Sequence, residues 1–301
     1  MLRIRPLPVR SGRPEDGPIV NRWALLALPV VLFLVLGFLL PLIAIGQRSV
    51  TDLPASADGS VIANFQRFFA GEANRRVLGN TFWIAGLSTI VCLAIGYPYA
   101  YLMHVVRPRI AGLLLIAVLI PFWSSLLVRT YAWQVILRDT GIVNRSLLDL
   151  GVIDEPVTLL RTTFSVLLGM SQILLPFMVL PVYSVMRRID PEYTRAAANL
   201  GAPPFAAFLR VFLPLSLPGV IAGSLLVFVL ALGFYITPAL LGSPRDTMIS
   251  EFIVTTVTTG SLDWGLGSAM ALVLMALTLA VLFVASRFIR LRDVFGALDA
   301  E

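Results

Sequence analysis

The chain has 301 residues, 58% of them hydrophobic and 13% charged, with a net charge of +6 and a mean hydropathy of +0.89. A soluble domain carries about 25% charged residues, so the composition excludes a water-soluble globular protein and puts the bulk of the chain in lipid. All 23 basic residues are arginine, which excludes chemistry that needs an amine, such as a P-loop lysine on ATP phosphates or a Schiff base. One cysteine, Cys92, and one histidine, His104, exclude an intrachain disulfide and a Cys/His metal cluster. They read as a packed thiol and a membrane-interface imidazole.

A membrane-crossing helix needs about 20 mostly apolar residues. After an arginine-rich tail at 1–22, six segments meet that test: 23–46, 77–103, 110–137, 163–186, 214–240 and 266–288. The expected fold is all-α and polytopic, with a transmembrane region at 23–288 and a tail at 289–301. Basic residues precede the first segment as in a signal peptide, but its apolar run of about 24 residues exceeds an h-region of about 7–15; it reads as an uncleaved anchor. Pro29, Pro98, Pro121, Pro176 and Pro238 lie inside the spans, so kinked helices packed on neighbours are expected. The stretch 241–265 is too polar for an ordinary span and too apolar for a free loop; it reads as a short helix folded back on the outer face.

Arginine asymmetry sets the orientation. With the N-terminus inside, fourteen arginines fall on the cytoplasmic side and eight outside, with Arg129 inside the third span. Acidic residues run the other way, seven inside and ten outside. Both termini, and the segment between the fourth and fifth spans, are expected in the cytoplasm.

That segment, 189–214, carries charge, three consecutive alanines, a glycine and a Pro-Pro pair. Asp190 suits a helix N-cap, Pro191 the first helical position, and Glu192 the first turn. Gly201 suits the C′ position that ends a helix, and Pro204 begins a second helix running toward Pro214. Two short cytoplasmic helices with a sharp corner are predicted. A side chain at Gly201 would cost about 1 kcal/mol in backbone strain and would collide with whatever packs on the turn. The plain alternative is an amphipathic helix resting on lipid headgroups.

The spacing of this segment resembles the cytoplasmic motif of permease subunits of binding-protein-dependent ABC importers: E-A-A, three residues, G, nine residues, I-x-L-P. Ala196 and Ala197 match the alanines, Ala198, Asn199 and Leu200 separate them from Gly201, and Val211, Phe212, Leu213 and Pro214 match the end. Arg195 stands where the family has glutamate; either Glu192, one turn earlier, supplies the carboxylate, or the ATPase accommodates an arginine. Residues 120–148 and 263–274 are similar to the spermidine/putrescine permeases, and ferric ion, thiamine and opine permeases share parts of these stretches.

The resemblance implies a type I importer in a bacterial inner membrane. This chain would pair with a second, homologous permease, two ATPase subunits and a periplasmic solute-binding protein. It implies ATP and Mg on the ATPase, with no cofactor on this chain, no catalysis by it and no nucleic acid. Glu192, Arg195–Asn199, Gly201, Val211, Leu213 and Pro214 would then form the ATPase coupling surface. The implied cargo is a polyamine; another small organic or anionic solute, such as an amino-acid-like one, is the alternative. Trp123, Tyr131, Trp133 and Tyr235 offer aromatic faces to ammonium groups, and Glu251 and Asp263 offer carboxylates. Arg129 opposes a polycation unless paired. A secondary transporter would place ionisable groups deep in its spans, and an intramembrane enzyme needs more than the lone His104.

Overall fold

The computed structural model describes residues 22–54, 60–259 and 262–298, all helices and connections, with side chains described between 28 and 287. The expected N-terminal tail, apart from Arg22, lies outside the described residues. The chain divides into two units, Met1–Ile45 and Gly46–Glu301. The described part of the first unit is apolar helix, the start of α1 (Arg22–Thr51), which crosses the boundary.

In the second unit the order is α2 (Ala63–Ala70), α3 (Glu72–Val105), α4 (Pro108–Leu119), α5 (Leu126–Leu137), α6 (Ile142–Asp149), α7 (Thr163–Met186), α8 (Pro191–Asn199), α9 (Pro204–Ala207), α10 (Leu213–Leu232), α11 (Ile236–Leu241), α12 (Ile249–Thr258) and α13 (Trp264–Leu298). Helices α3, α7 and α10 pack on one another and form the core. Met103, Met170, Leu174, Met178 and Met186 are fully buried there. Lipid supplies no hydrophobic drive between helices, so close backbone approach has to hold them. Gly219 and Gly223, four apart on α10, provide it: a Cβ on either would stand 3.0 Å from α7 backbone, at Pro181 and Met178 respectively.

Among the described residues five helices are long and apolar enough to cross a membrane, or six if one bent pair counts as a span. The expected spans at 23–46, 77–103, 163–186 and 266–288 each fall inside one helix. Two expected spans are broken. At 110–137 the helix passes into a 3-10 turn at Ile120–Trp123, runs extended at Ser124 and Ser125, and restarts at an angle of 96°. Pro121 cannot donate to the preceding turn and stands where the α-helix gives way to the 3-10 turn. At 214–240, α10 stops at Leu232 before Gly233, and α11 is a separate short helix.

The expected second short helix is likewise not separate. Pro204 starts it as foreseen, but it runs through a π-helical turn at Phe208–Phe212 into α10, one path of 29 residues from Pro204 to Leu232. Residues 289–298, read as tail, continue α13. The 241–265 stretch does contain a short helix, α12, lying against α3 and α13.

Candidate functional site

The predicted corner is built by its own sequence. The Asp190 side chain accepts from the Glu192 amide at 2.9 Å, and Pro191 occupies N1 of α8. At the other end Gly201 has φ +85, donates to the Ala198 carbonyl at 2.9 Å, and is followed by Ala202 donating to Ala197 at 3.0 Å. These two bonds are a Schellman cap, which closes the orphan carbonyls of a helix end through a left-handed residue. A Cβ at Gly201 meets no heavy atom within 4 Å. Among the described residues no heavy atom stands where that Cβ would go, so the expected collision is not found within them.

No residue of α8 is buried. Glu192, Arg195, Ala196, Ala198 and Asn199 are exposed and Ala197 is half-buried. Glu192 and Arg195 do not pair with each other, and the ion pair among the described side chains is Arg67 with Asp263. Both charges on α8 are therefore presented outward.

The far half of the motif is fastened to α3 by aromatic rings. Phe212 lies 5.3 Å from Tyr101 and 5.1 Å from His104, and Phe208 lies 5.2 Å from Tyr101 and 5.8 Å from Phe212. Tyr97 shares a 3.0 Å hydrogen bond with Ser216, whose hydroxyl also donates to the Leu213 carbonyl. Val211 and Leu213 are half-buried and Pro214 is exposed. A cavity of 380 Å³ between Tyr101, Phe208 and the Thr194–Ala198 face of α8 separates α8 from this clasp. Sequence reading missed Tyr97, Tyr101, Phe208 and Phe212. Their i, i+4 spacing on each helix was the available signal.

At the other end of the bundle a cavity of 530 Å³ is lined by Gln134, Arg161, Leu240, Ser243, Thr247 and Glu251, among others. Gln134 donates to the Leu240 carbonyl at 2.6 Å, tying α5 to α11. Burial raises the Glu251 carboxyl above its ordinary range, opposed by a hydrogen bond with the Met248 backbone. Arg161 holds φ +59, a left-handed conformation that ordinary residues seldom adopt, immediately before the Thr162 cap of α7. Buried Asp246 organises the rim. It accepts from the Ser243 amide at 3.0 Å and from the hydroxyls of Ser243 and Thr163 at 2.6 Å each.

The predicted aromatic and arginine cluster is not one site. Trp123 and Tyr131 are exposed, while Trp133 packs on the core and donates to Gln172 at 2.6 Å. Arg129 reaches back to the Ser124 carbonyl at 3.4 Å, and its buried Nε has no hydrogen-bond partner among the described residues. Tyr235 caps α11 beside the break. Only Glu251 of the predicted set lines the cavity. Asp263 has structural work: it pairs with Arg67 and accepts from the Leu266 amide at 2.9 Å at the start of α13.

Comparison with known proteins adds four findings. The profile of the family described as binding-protein-dependent transport system inner membrane component matches residues 23–293. The chain is 39% identical over 236 residues to the spermidine/putrescine transport system permease protein PotB of Haemophilus influenzae, covering 76% of this chain and 80% of that one. Over 216 residues it is 36% identical to PotB of Escherichia coli K12, covering 71% and 78%. Among solved structures, a chain of a bacterial alginate ABC transporter in complex with its periplasmic protein aligns with a TM-score of 0.68 at 21% identity, over 89% of this chain and 94% of that one.

Proposed function

The chain belongs to the family of binding-protein-dependent transport system inner membrane components, and from that premise we propose that it is the pathway subunit of an ATP-driven polyamine importer. It is a multi-pass inner-membrane protein with the fold of type I ABC importer permeases. The reading of its cargo as spermidine or putrescine rests on its likeness to two PotB proteins over more than two thirds of each chain. Both termini and α8 face the cytoplasm in this reading, as the arginine asymmetry requires.

One observation carries the mechanism: α8 is capped at both ends, has no buried residue and stands at the family motif's spacing. A rigid, doubly capped helix transmits displacement, where a loop would absorb it. The partners are a second permease, two ATPase subunits that hold nucleotide and Mg, and a periplasmic binding protein. Closure of the ATPase pair moves α8. The Schellman corner at Gly201 passes the movement to Phe208–Phe212, and the clasp on Tyr97 and Tyr101 carries it into α3 and α10. This chain performs no hydrolysis, in keeping with its lack of lysine.

Solute passes beside the Glu251 cavity, where a half-buried carboxylate meets the ammonium groups of a polyamine. A second reading has a specific observation behind it: Arg161 lines the same cavity, which suits a solute carrying an anionic group. Reconstitution with the ATPase and binding protein in proteoliposomes separates the two. ATP-dependent uptake of labelled spermidine, competed by putrescine, is the expected result. Uptake of an amino-acid-like solute with no response to polyamines overturns the cargo assignment while leaving the importer intact.

A further inference from the structure

A second cavity beside α8 has the two-part lining of an amphiphile site. It measures 490 Å³ and opens between the ends of α3, α4 and α7. One wall is apolar, made by Ala111, Gly112 and Leu115 along the first turns of α4; the other holds Tyr183 and Arg187, and the cavity reaches Pro191. Arg187 lies just past the last residue of α7, with its guanidinium 5.9 Å from the Tyr183 ring centroid. Among the described residues no carboxylate pairs with it. Arg107, the N-cap of α4, stands between two lining residues, and Arg188 follows Arg187. Arg187 is thus the arginine on the cavity lining, and Arg107 and Arg188 adjoin lining residues in sequence.

A free anion would use the arginines and leave the α4 wall without a role. A neutral lipid would use the wall and leave Arg187 without a counter-charge. We propose that the cavity binds one anionic phospholipid, its phosphate on Arg187 and the upper part of an acyl chain along Ala111, Gly112 and Leu115. Basic pockets between membrane helices are known to bind anionic lipid headgroups. Because Pro191 is the first residue of α8, the lipid braces the coupling helix against α4 and sets its resting position. The regulatory part rests on α8 being the link to the ATPase; the binding part does not.

The test uses the purified full chain in detergent, titrated with phosphatidylglycerol and observed by native mass spectrometry. Phosphatidylglycerol should be retained in preference to phosphatidylcholine, and Arg187→Ala should weaken retention by roughly fivefold or more. Gly112→Phe should also weaken it by filling the apolar wall, where a Cβ meets nothing within 4 Å. Unfolding curves recorded without lipid check that both variants are folded. Equal retention of the two lipids, or no effect of Arg187→Ala, overturns the site. Displacement of the lipid by inorganic phosphate at equal concentration overturns the acyl-chain half of the assignment. These outcomes are read without transport, so they are independent of the cargo.

Discussion

Gly201 is where the mechanism is most exposed to experiment. Its φ is +85, and a Cβ there would touch no heavy atom of the described residues within 4 Å. Alanine therefore costs only the left-handed backbone penalty, about 1 kcal/mol, a roughly fivefold loss in the population of the capped corner. Asparagine tolerates that conformation and should cost less. Aspartate matches asparagine in shape but adds a negative charge. In the chain alone all three variants should insert and unfold almost like the parent. In the assembled importer they should separate: Gly201→Asn keeps most uptake, Gly201→Ala loses several-fold, and Gly201→Asp loses nearly all. ATP hydrolysis in the Asp variant should no longer respond to loaded binding protein. Uptake in proteoliposomes, with ATPase stimulation read on the same samples, gives both numbers. Normal transport by Gly201→Asp would mean that nothing seats on the corner, and the mechanical account would fall.

Orientation is testable with Ser146→Cys and Asn199→Cys, each exposed, in a Cys92→Ser background that keeps a donor toward the Ser171 carbonyl. Residue 146 should react with an impermeant reagent from the periplasm and residue 199 only after permeabilisation; the reverse pattern would invert the topology. Asp246→Ala leaves the Ser243 and Thr163 donors without their acceptor and should cost about 2–3 kcal/mol. Thermal unfolding in detergent should show this loss, with Asp246→Asn retaining more. Since burial raises the Glu251 pKa, its ionised form is lost on acidification at a higher pH than for an ordinary carboxylate. Polyamine uptake should fall through that window, and Glu251→Gln should be low at all pH values and show no such step; an unchanged pH profile would remove Glu251 from the route.

Most spans were legible because a bilayer demands long apolar helices and tolerates little else. The α8 corner was legible because Asp190, Pro191 and Gly201 each suit one position of a capped helix and no other part of it. Pro121 marked a kink in its span, but the extent of the break to Ser125, and the break at Gly233–Tyr235, were hidden, since apolar composition runs through both and hydropathy does not register a lost backbone bond. Asp263 read as an outer carboxylate open to solute, yet it is paired with Arg67, and Asp246 is buried against Thr163, contacts that only the tertiary structure reveals. The aromatic clasp divides the same way: spacing on α3 was readable, its partnership with the π turn was not.

In the proposed mechanism α8 sits in a cleft of a separate ATPase subunit and moves with it. Cross-linking Asn199→Cys, in the Cys92→Ser background, to single cysteines placed around a surface cleft of that ATPase tests it most directly. A disulfide should form in the assembled complex, its yield should change when ATP and loaded binding protein are added, and transport should stop while it is intact and return on reduction. Failure of position 199 to cross-link in a complex that transports normally, with the same residue labelled by lipid-borne reagents, would place α8 on the membrane surface and contradict the claim.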